Sequence, residues 1–321
     1  MRPLFTDISP RTAGKIRSRV SNPLRFRRIS TADVDKIYDI LSRYATAGTC
    51  DYSIGGIMMW VDYFNYSFAI VYDTLFIKGV SEEDASQVAF SVPVGPMDLR
   101  DSIELLRDYC AVNRIKLRFS AVPEAMVEPL AEAGFSSAGQ LADWSDYVYD
   151  IDALATYSGK KYSKKRNHVN RFITDNPGWS VAPLSADNLP AVRDFLVRRR
   201  LAADKQESAA YEQRQVMRVL DEYQSYPYEG LVLSVPGRGV VAFGIGEVIG
   251  DTVFEHIEKM DHEVAGAGEM MCREFAAMIR ARHPEVKYVN REEDAGDPGL
   301  RYAKEQLHPV KMLAKYDVTS A

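Results

Sequence analysis

Cysteine is scarce: Cys50, Cys110 and Cys272 are the whole set in 321 residues, widely separated and in no C-x-x-C pattern. This excludes a disulfide framework and points to buried free thiols in a reducing compartment. No run of about 18 apolar residues occurs, so no segment reads as a membrane-spanning helix. The densest stretch, Ile54 to Ile77, is broken by Asp62, Asn65 and Asp73. The opening MRPLFTDISPRTAGKIRSRV lacks the apolar region of a secretory signal, and a cytoplasmic protein is expected. Positive charge is not in excess: 40 Lys and Arg stand against 45 Asp and Glu, a net charge of −5, which argues against a dedicated DNA-coating protein. Metal-ligand spacing, G-x-S-x-G and a Cys/His set are all missing, so neither a metal nor a covalent nucleophile is expected.

What is present suits a globular protein of two domains. Hydrophobic residues make up 46% and charged residues 26% of a chain long enough for two cores. The positive charge is concentrated. Residues 1–28 hold eight Arg or Lys against the single Asp7, and Gly159 to Arg171 holds six with no acid. In an acidic chain such blocks are candidate docking sites for phosphate or an anionic membrane surface.

The first half reads as a strand (LRFRRIS), helices from Thr31 and over Ile54 to Asn65, three strands (FAIVY, TLFIKGV, QVAFSVPV), a helix from Asp98, a strand (KLRFSAV), a helix over Glu124 to Ala133, and a last strand over Asp146 to Ile151. The second half repeats this order. WSVAPLS is followed by two helices, three strands (GLVLSV, GVVAFGIGEVI, TVFEHIEKM), a helix over Gly268 to Arg282, the strand VKYVN, a helix over Pro298 to Leu307 and a single strand VKMLAKYDV. The order resembles that of the GNAT acyltransferase fold in each half. The expectation is an α/β (α+β) protein of two tandem GNAT-like folds, each a mixed, mainly antiparallel sheet flanked by helices. A basic arm covers 1–22, the N-terminal domain 23–155 and the C-terminal domain 156–321, with a basic helix at the junction.

Four stretches could carry chemistry. In E-V-A-G-A-G, Gly266 and Gly268 sit where acyl-CoA-dependent GNAT enzymes bind pyrophosphate on backbone N–H groups at a helix N-terminus. Glu263 departs from that pattern, since a carboxylate repels a pyrophosphate; the glycines serve equally well as a tight turn. In SGKKYSKKRNHVNRF a helix places Tyr162, Val169, Phe172 and Ile173 on an apolar stripe. Lys160, Lys161, Lys164, Arg166 and Arg171 lie off it, either to hold donor phosphates at a lip of the domain junction or to pair with acids such as those of Glu292 to Asp294. In YVNREEDAGDPGLRYAKEQL, Asp297 and Pro298 start a helix with Leu300, Ala303 and Leu307 facing the core. Asn290 and Glu292 crowd the end of a central strand, where ligands of open sheets gather. They suit a cationic aminoacyl group or a proton-accepting role; a solvated loop neutralised by Arg291 is the alternative. In VFEHIEKMD, alternation puts His256 and Glu258 on one face, as a general-base pair or as structural residues.

CDYSIGGIMMW, SGKKYSKKRNHVNRF, EHIEKMD and NREEDAGDPGLRYAKEQLHPVKMLAKY together resemble a bacterial family grouped with the C-terminal domain of phosphatidylglycerol lysyltransferase. A more distant similarity is to the Fem peptidyltransferases, which use aminoacyl-tRNA. The resemblance implies a duplicated GNAT fold. It implies an acyl or aminoacyl transferase whose second domain carries the site, with direct attack on aminoacyl-tRNA or acyl-CoA by an amine or hydroxyl and no tightly bound cofactor. The family's membrane domain has no counterpart here, so membrane contact is expected to be peripheral. tRNA or another polyanion is the expected partner. A non-catalytic binding or regulatory protein that kept the fold is the alternative, as Glu263 permits.

Overall fold

The computed structural model describes residues 22–45, 48–82, 84–202 and 207–320. Of the basic arm expected over 1–22, all but Asn22 lies outside them. The first half runs β1 (Arg27–Arg28), α1 (Val34–Tyr44), α2 (Ile54–Trp60), β2 (Ser67–Val71), β3 (Thr74–Val80), β4 (Val88–Phe90), α3 (Leu99–Asn113), β5 (Arg118–Pro123), α4 (Glu124–Glu132), β6 (Phe135–Gln140) and β7 (Asp146–Asp150). Then follow α5 (Ile151–Thr156), α6 (Ser163–Asp175), β8 (Ser180–Pro183), α7 (Leu189–Ala202), α8 (Glu207–Asp221), β9 (Tyr228–Val235), β10 (Gly239–Ile249), β11 (Thr252–Met260), α9 (Ala267–Arg282), β12 (Tyr288–Asn290), α10 (Pro298–Glu305), β13 (Lys311–Leu313) and β14 (Lys315–Ser320). The elements make two tandem GNAT-like units, each a mixed sheet with helices against it.

Local chemistry explains the element starts. Asp98 accepts from the amide of Arg100 at the head of α3, and Asp297 accepts from that of Leu300 at the head of α10, where Pro298 loses no needed amide. Helix α10 also departs from expectation. Leu300 is exposed and Lys304 is buried in its place, because the Lys304 ammonium donates to the backbone carbonyls of Arg291 and Glu293. Strand β6 escapes sequence reading: FSSAGQ buries Phe135 alone, so it shows no alternation.

The sheets do not respect the halves. The first is ordered β1-β2-β3-β4-β5-β14-β6 and the second β13-β7-β12-β11-β10-β9-β8. The last strand of each half is thus exchanged into the other sheet. Two expectations are corrected here. A cut at 155/156 leaves each half without one internal strand of its own sheet, so 23–155 and 156–321 are not two self-contained domains. VKMLAKYDV is not one strand either. It breaks at Ala314, with Lys311–Leu313 pairing with β7 and Lys315–Ser320 inserting between β5 and β6. The hydrophobic cores agree. One runs from Leu24 through the first half to Val192, Phe195, Val216 and Phe243 on the α7/α8 side of the second sheet. The other fills the space between that sheet and α5, α6 and α9.

Strand exchange predicts the behaviour of fragments. Residues 23–155 and 156–321, each expressed alone, are expected to show no cooperative thermal transition, and mixing them should restore one. Cooperative melting of either fragment by itself contradicts the exchange as a condition of folding.

Candidate functional site: a shared acidic cleft

The exchanged strands cross at a buried ion cluster. Lys315 opens β14 and is 1% exposed; Asp146 opens β7 and is fully buried. The Lys315 ammonium lies 2.8 Å from Asp146 Oδ1, 2.8 Å from Asp51 Oδ2, 3.2 Å from Cys50 Sγ and 3.6 Å from Glu293 Oε2. Asp146 Oδ2 accepts from the Cys50 amide at 2.7 Å and from Asn290 Nδ2 at 2.8 Å. Burial alone would lower the lysine's pKa, but Asp146, Asp51 and Glu293 outweigh it and raise it well above the ordinary value. Cys50, Asp146 and Glu293 bring three potential metal ligands together, and the Lys315 ammonium already sits among them. Burial and the neighbouring carboxylates push the Cys50 thiol far up, so it is a poor nucleophile.

Against this cluster opens a narrow cleft whose cavity, about 20 Å³, has room for about one water molecule. Its walls come from both halves. Trp60, Phe64, Tyr66 and Trp144 give aromatic surface, and Asp51, Glu82, Glu292 and Glu293 give carboxylates. Glu82 Oε2 is buried with no hydrogen-bond partner among the described residues. Burial, compounded by Asp51 and opposed by Lys315, holds the Glu82 carboxyl well above the usual range. The cleft is built from both halves, whereas the expectation placed the site in the second domain.

Behind the cleft, His256 is clamped between two acids. Its Nδ1 is 2.7 Å from Glu292 Oε1 and its Nε2 is 2.9 Å from Glu247 Oε1. A ring nitrogen facing a carboxylate on each side must donate from both, so the imidazole is an imidazolium. Burial opposes the charge, but the hydrogen bonds that the ring donates to Glu247 and Glu292 prevail and push the pKa up to about 10. His256 therefore cannot serve as a free base near neutrality. Glu247 Oε1 also accepts from the Gly55 amide at 2.7 Å. A Cβ at Gly55 would stand 2.1 Å from the imidazole, so α2 can lie on His256 only with glycine there.

The structure places the sequence candidates as follows. His256 and Glu258 do not share a face. Register slips between Ile245 and Gly246 of β10, which pair with Ile257 and Glu255, so β11 carries an extra residue at His256. That bulge reverses the alternation and puts Glu255 with Glu258 on the opposite side. There Arg291 bridges the fork beyond the last β11/β12 pair, with Nε 2.7 Å from Glu255 and Nη2 2.9 Å from Glu258. Burial raises Glu255 to about 8, with Arg291 opposing and Glu258 adding to it. Asn290 is a brace: it donates to Gly48 O and to Asp146 and accepts from the Glu292 amide. Glu292 alone of the four lines the cleft.

The phosphate candidates disperse. Gly266, at φ 80, has the backbone of α6 against it: a Cβ would meet His168 O at 2.4 Å. Gly268 is similarly closed, since a Cβ there would stand 2.5 Å from the Met260 sulfur. Gly266 lets α6 pack closely on this turn, and Gly268 makes room for the thioether of Met260 at the end of β11. In the basic block, Lys165 pairs with Glu269, Arg171 with Asp175, and Arg166 holds the carbonyls of Tyr157 and Gly159. Lys160, Lys161 and Lys164 are exposed and without an ion pair among the described residues. None of the block's cations lines the cleft. Nor do the acids of 292–294 neutralise them; Glu292 faces His256, Glu293 faces Lys315 and Asp294 faces Arg301. Ile173 leaves the apolar stripe and is 37% exposed.

Reading the sequence alone missed Asp51, Glu82, Asp146, Glu247 and Lys315. The signal for two of them was there. Glu247 interrupts the apolar run GVVAFGIGEVI and Lys315 falls between Leu313-Ala314 and Tyr316, and a charge within a largely apolar strand pattern needs a partner. Glu82 lies in SEEDA, which reads as an ordinary solvated loop.

The family profile described as phosphatidylglycerol lysyltransferase, C-terminal, matches residues 42–319. A conserved protein of unknown function from Bacteroides thetaiotaomicron is 30% identical with a TM-score of 0.84, over 93% of this chain and 100% of that one. L-PGS from Bacillus licheniformis is 15% identical with a TM-score of 0.60, over 89% of this chain and 91% of that one. FemX is 9% identical with a TM-score of 0.57, over 91% and 97%. Curated protein sequences give no match. The chain belongs to the phosphatidylglycerol lysyltransferase C-terminal family, as its sequence resemblance implied.

The clamped imidazolium gives a pH signature. The folded-state pKa lies above the unfolded value of about 6.5, so the stabilisation is complete below that pH and is lost as pH rises through about 10. His256→Gln is expected to cost about 3–5 kcal/mol at neutral pH, and the gap to wild type should close toward pH 10. Urea melts across pH check this; a gap that is constant with pH contradicts a charged His256.

Proposed function

We propose that this member of the family is an aminoacyltransferase that takes a cationic aminoacyl group from aminoacyl-tRNA and passes it to an amine or hydroxyl acceptor by direct attack. The observation that carries this reading is the surplus of carboxylate in an aromatic-walled cleft, with Glu82 Oε2 buried and unpartnered. A buried carboxylate without a partner is costly. An ammonium group removes that cost once the walls of the cleft part to admit it, and Trp60, Phe64, Tyr66 and Trp144 among those walls offer aromatic surface to its aliphatic stem.

In the proposed step the acceptor's N–H or O–H attacks the ester carbonyl carbon. The new C–N or C–O bond forms, and the bond to the ribose oxygen breaks. Glu292 receives the acceptor's proton, which ends on the departing ribose hydroxyl. The imidazolium of His256 holds Glu292 in place. The raised pKa of Cys50 supports a route without a thioester intermediate. The carboxylate of Glu263 beside the turn at Gly266 and Gly268 favours a tRNA ester over a coenzyme A thioester as donor. Lys160, Lys161 and Lys164, exposed and without ion pairs among the described residues, are proposed to contact the polyanion outside the cleft.

Two measurements test this reading. Lysinamide is expected to raise the melting temperature more than the neutral norleucinamide, and Glu82→Gln should weaken lysinamide binding about tenfold, the loss of one charge-assisted contact. Because burial raises the Glu82 pKa, binding an ammonium should release a proton, and affinity should rise with pH. Equal stabilisation by both amides contradicts a cation-selective cleft. For the polyanion contact, replacing Lys160, Lys161 and Lys164 with Gln should flatten the slope of log affinity for tRNA against log salt by about 0.7–0.9 per lost contact. An unchanged slope removes the block from the interface.

A further inference from the structure

A second concavity opens at the far end of β11, four residues beyond His256 and ~13 Å along the strand. It is a half-open depression of about 470 Å³, lined on its apolar side by Phe195 of α7, Val240 of β10 and Met260. Arg198 and Arg199 of α7, Arg238 from the β9–β10 turn and His262 stand around it. It shares no lining residue with the interdomain cleft.

Arg199 is the informative residue. Its Nη2 lies 3.0 Å from His262 Nε2. A guanidinium can only donate, so His262 accepts at Nε2 and carries its proton on Nδ1. Arg199 Nη1 is buried and has no hydrogen-bond partner among the described residues. A charged donor left without an acceptor is unfavourable, and burial lowers the Arg199 pKa accordingly. Asp261 and Glu212 offset the burial only in part, and neither accepts from Nη1. Asp261 Oδ1 accepts from the Glu263 amide, and Asp261 Oδ2 stands 3.9 Å from Arg238, beyond hydrogen-bond reach. Glu263 is exposed at the rim. Among the described residues that line the concavity, three guanidinium groups stand against two acids, and Glu212 behind Arg199 is itself paired with Lys259.

We propose that this concavity binds a phosphate group whose substituent lies on the apolar floor. Guanidinium forks match phosphate oxygens in pairs, and a phosphate oxygen gives Arg199 Nη1 its missing acceptor. Phe195, Val240 and Met260 cover an apolar or planar substituent of a nucleotide or of a phosphoglyceride headgroup. Glu263 at the rim limits affinity, so its neutralisation strengthens binding.

Calorimetric titration of the full chain tests this with inorganic phosphate, AMP, and dihexanoyl phosphatidylglycerol below its micelle concentration. At least one probe should bind, Arg199→Met and Arg238→Gln should each weaken it about tenfold with unchanged melting temperature, and Glu263→Gln should tighten it. Tighter AMP assigns the phosphate to a nucleotide, and tighter lipid assigns it to a headgroup. Arg238 is exposed, so its variant reports on binding even where Arg199→Met perturbs folding. Failure of all three probes to bind at about 10 mM, or affinity unchanged in both arginine variants, overturns the proposal.

Discussion

One buried ammonium organises this protein. Lys315 stands where the chain leaves the second sheet for the first, and Asp146 stands where it leaves the first half for the second sheet. A lysine enclosed in apolar surroundings would be expelled or neutralised. Here Asp146, Asp51 and Glu293 surround it, and each belongs to a different segment of the chain. The pairing is demanding rather than strongly stabilising, since desolvation of the ions offsets much of their attraction. Its effect is on arrangement: both strand crossings, the Cys50–Asp51 turn and the 290–293 segment must be in place before any of the charges is satisfied.

The cleft follows from that arrangement. Once Lys315 has partly neutralised Asp51, Asp146 and Glu293, and His256 has paired with Glu247 and Glu292, the acids still outnumber the cations, and Glu82 is left unpartnered with its carboxyl held protonated by burial. Two cations set at the back of a row of carboxylates keep the acids in position without filling the space in front of them. Lys304 contributes from a third side by holding the carbonyls of Arg291 and Glu293, which fixes the segment on which Glu292 sits at φ 60. Such a left-handed conformation for a glutamate is kept only where its surroundings over-determine it.

Much of the fold was legible from periodicity and turn chemistry, because the helices and central strands have strong amphipathic or apolar patterns. Strand exchange was not. The apolar run Tyr147 to Tyr149 marks a strand buried on both faces, but not which sheet holds it, and VKMLAKYDV carries a continuous strand pattern across the break at Ala314. The site was less legible for a related reason. His256 was assigned to the side of Glu258 by strict alternation, and one bulge reversed it. Glu292 was found because it lies in an unusually polar run at a strand end. Glu82 was invisible, since only its approach to a cleft built from distant segments distinguishes it from a solvated loop acid. The basic block was recognised by composition, but composition could not separate Arg166, a brace for local carbonyls, from Lys160 and Lys164, which are exposed.

The central claim is that a cleft shared by both halves recognises a cationic aminoacyl group attached to RNA. Its most direct test is equilibrium binding of two minihelix RNAs, one carrying lysine and the other norleucine through a stable 3′-amide. The RNA contribution is common to both, so the difference isolates the side-chain ammonium. The account predicts that the lysyl RNA binds about tenfold more tightly or better, as expected for a charge-assisted contact. Equal affinity for the two RNAs would contradict it.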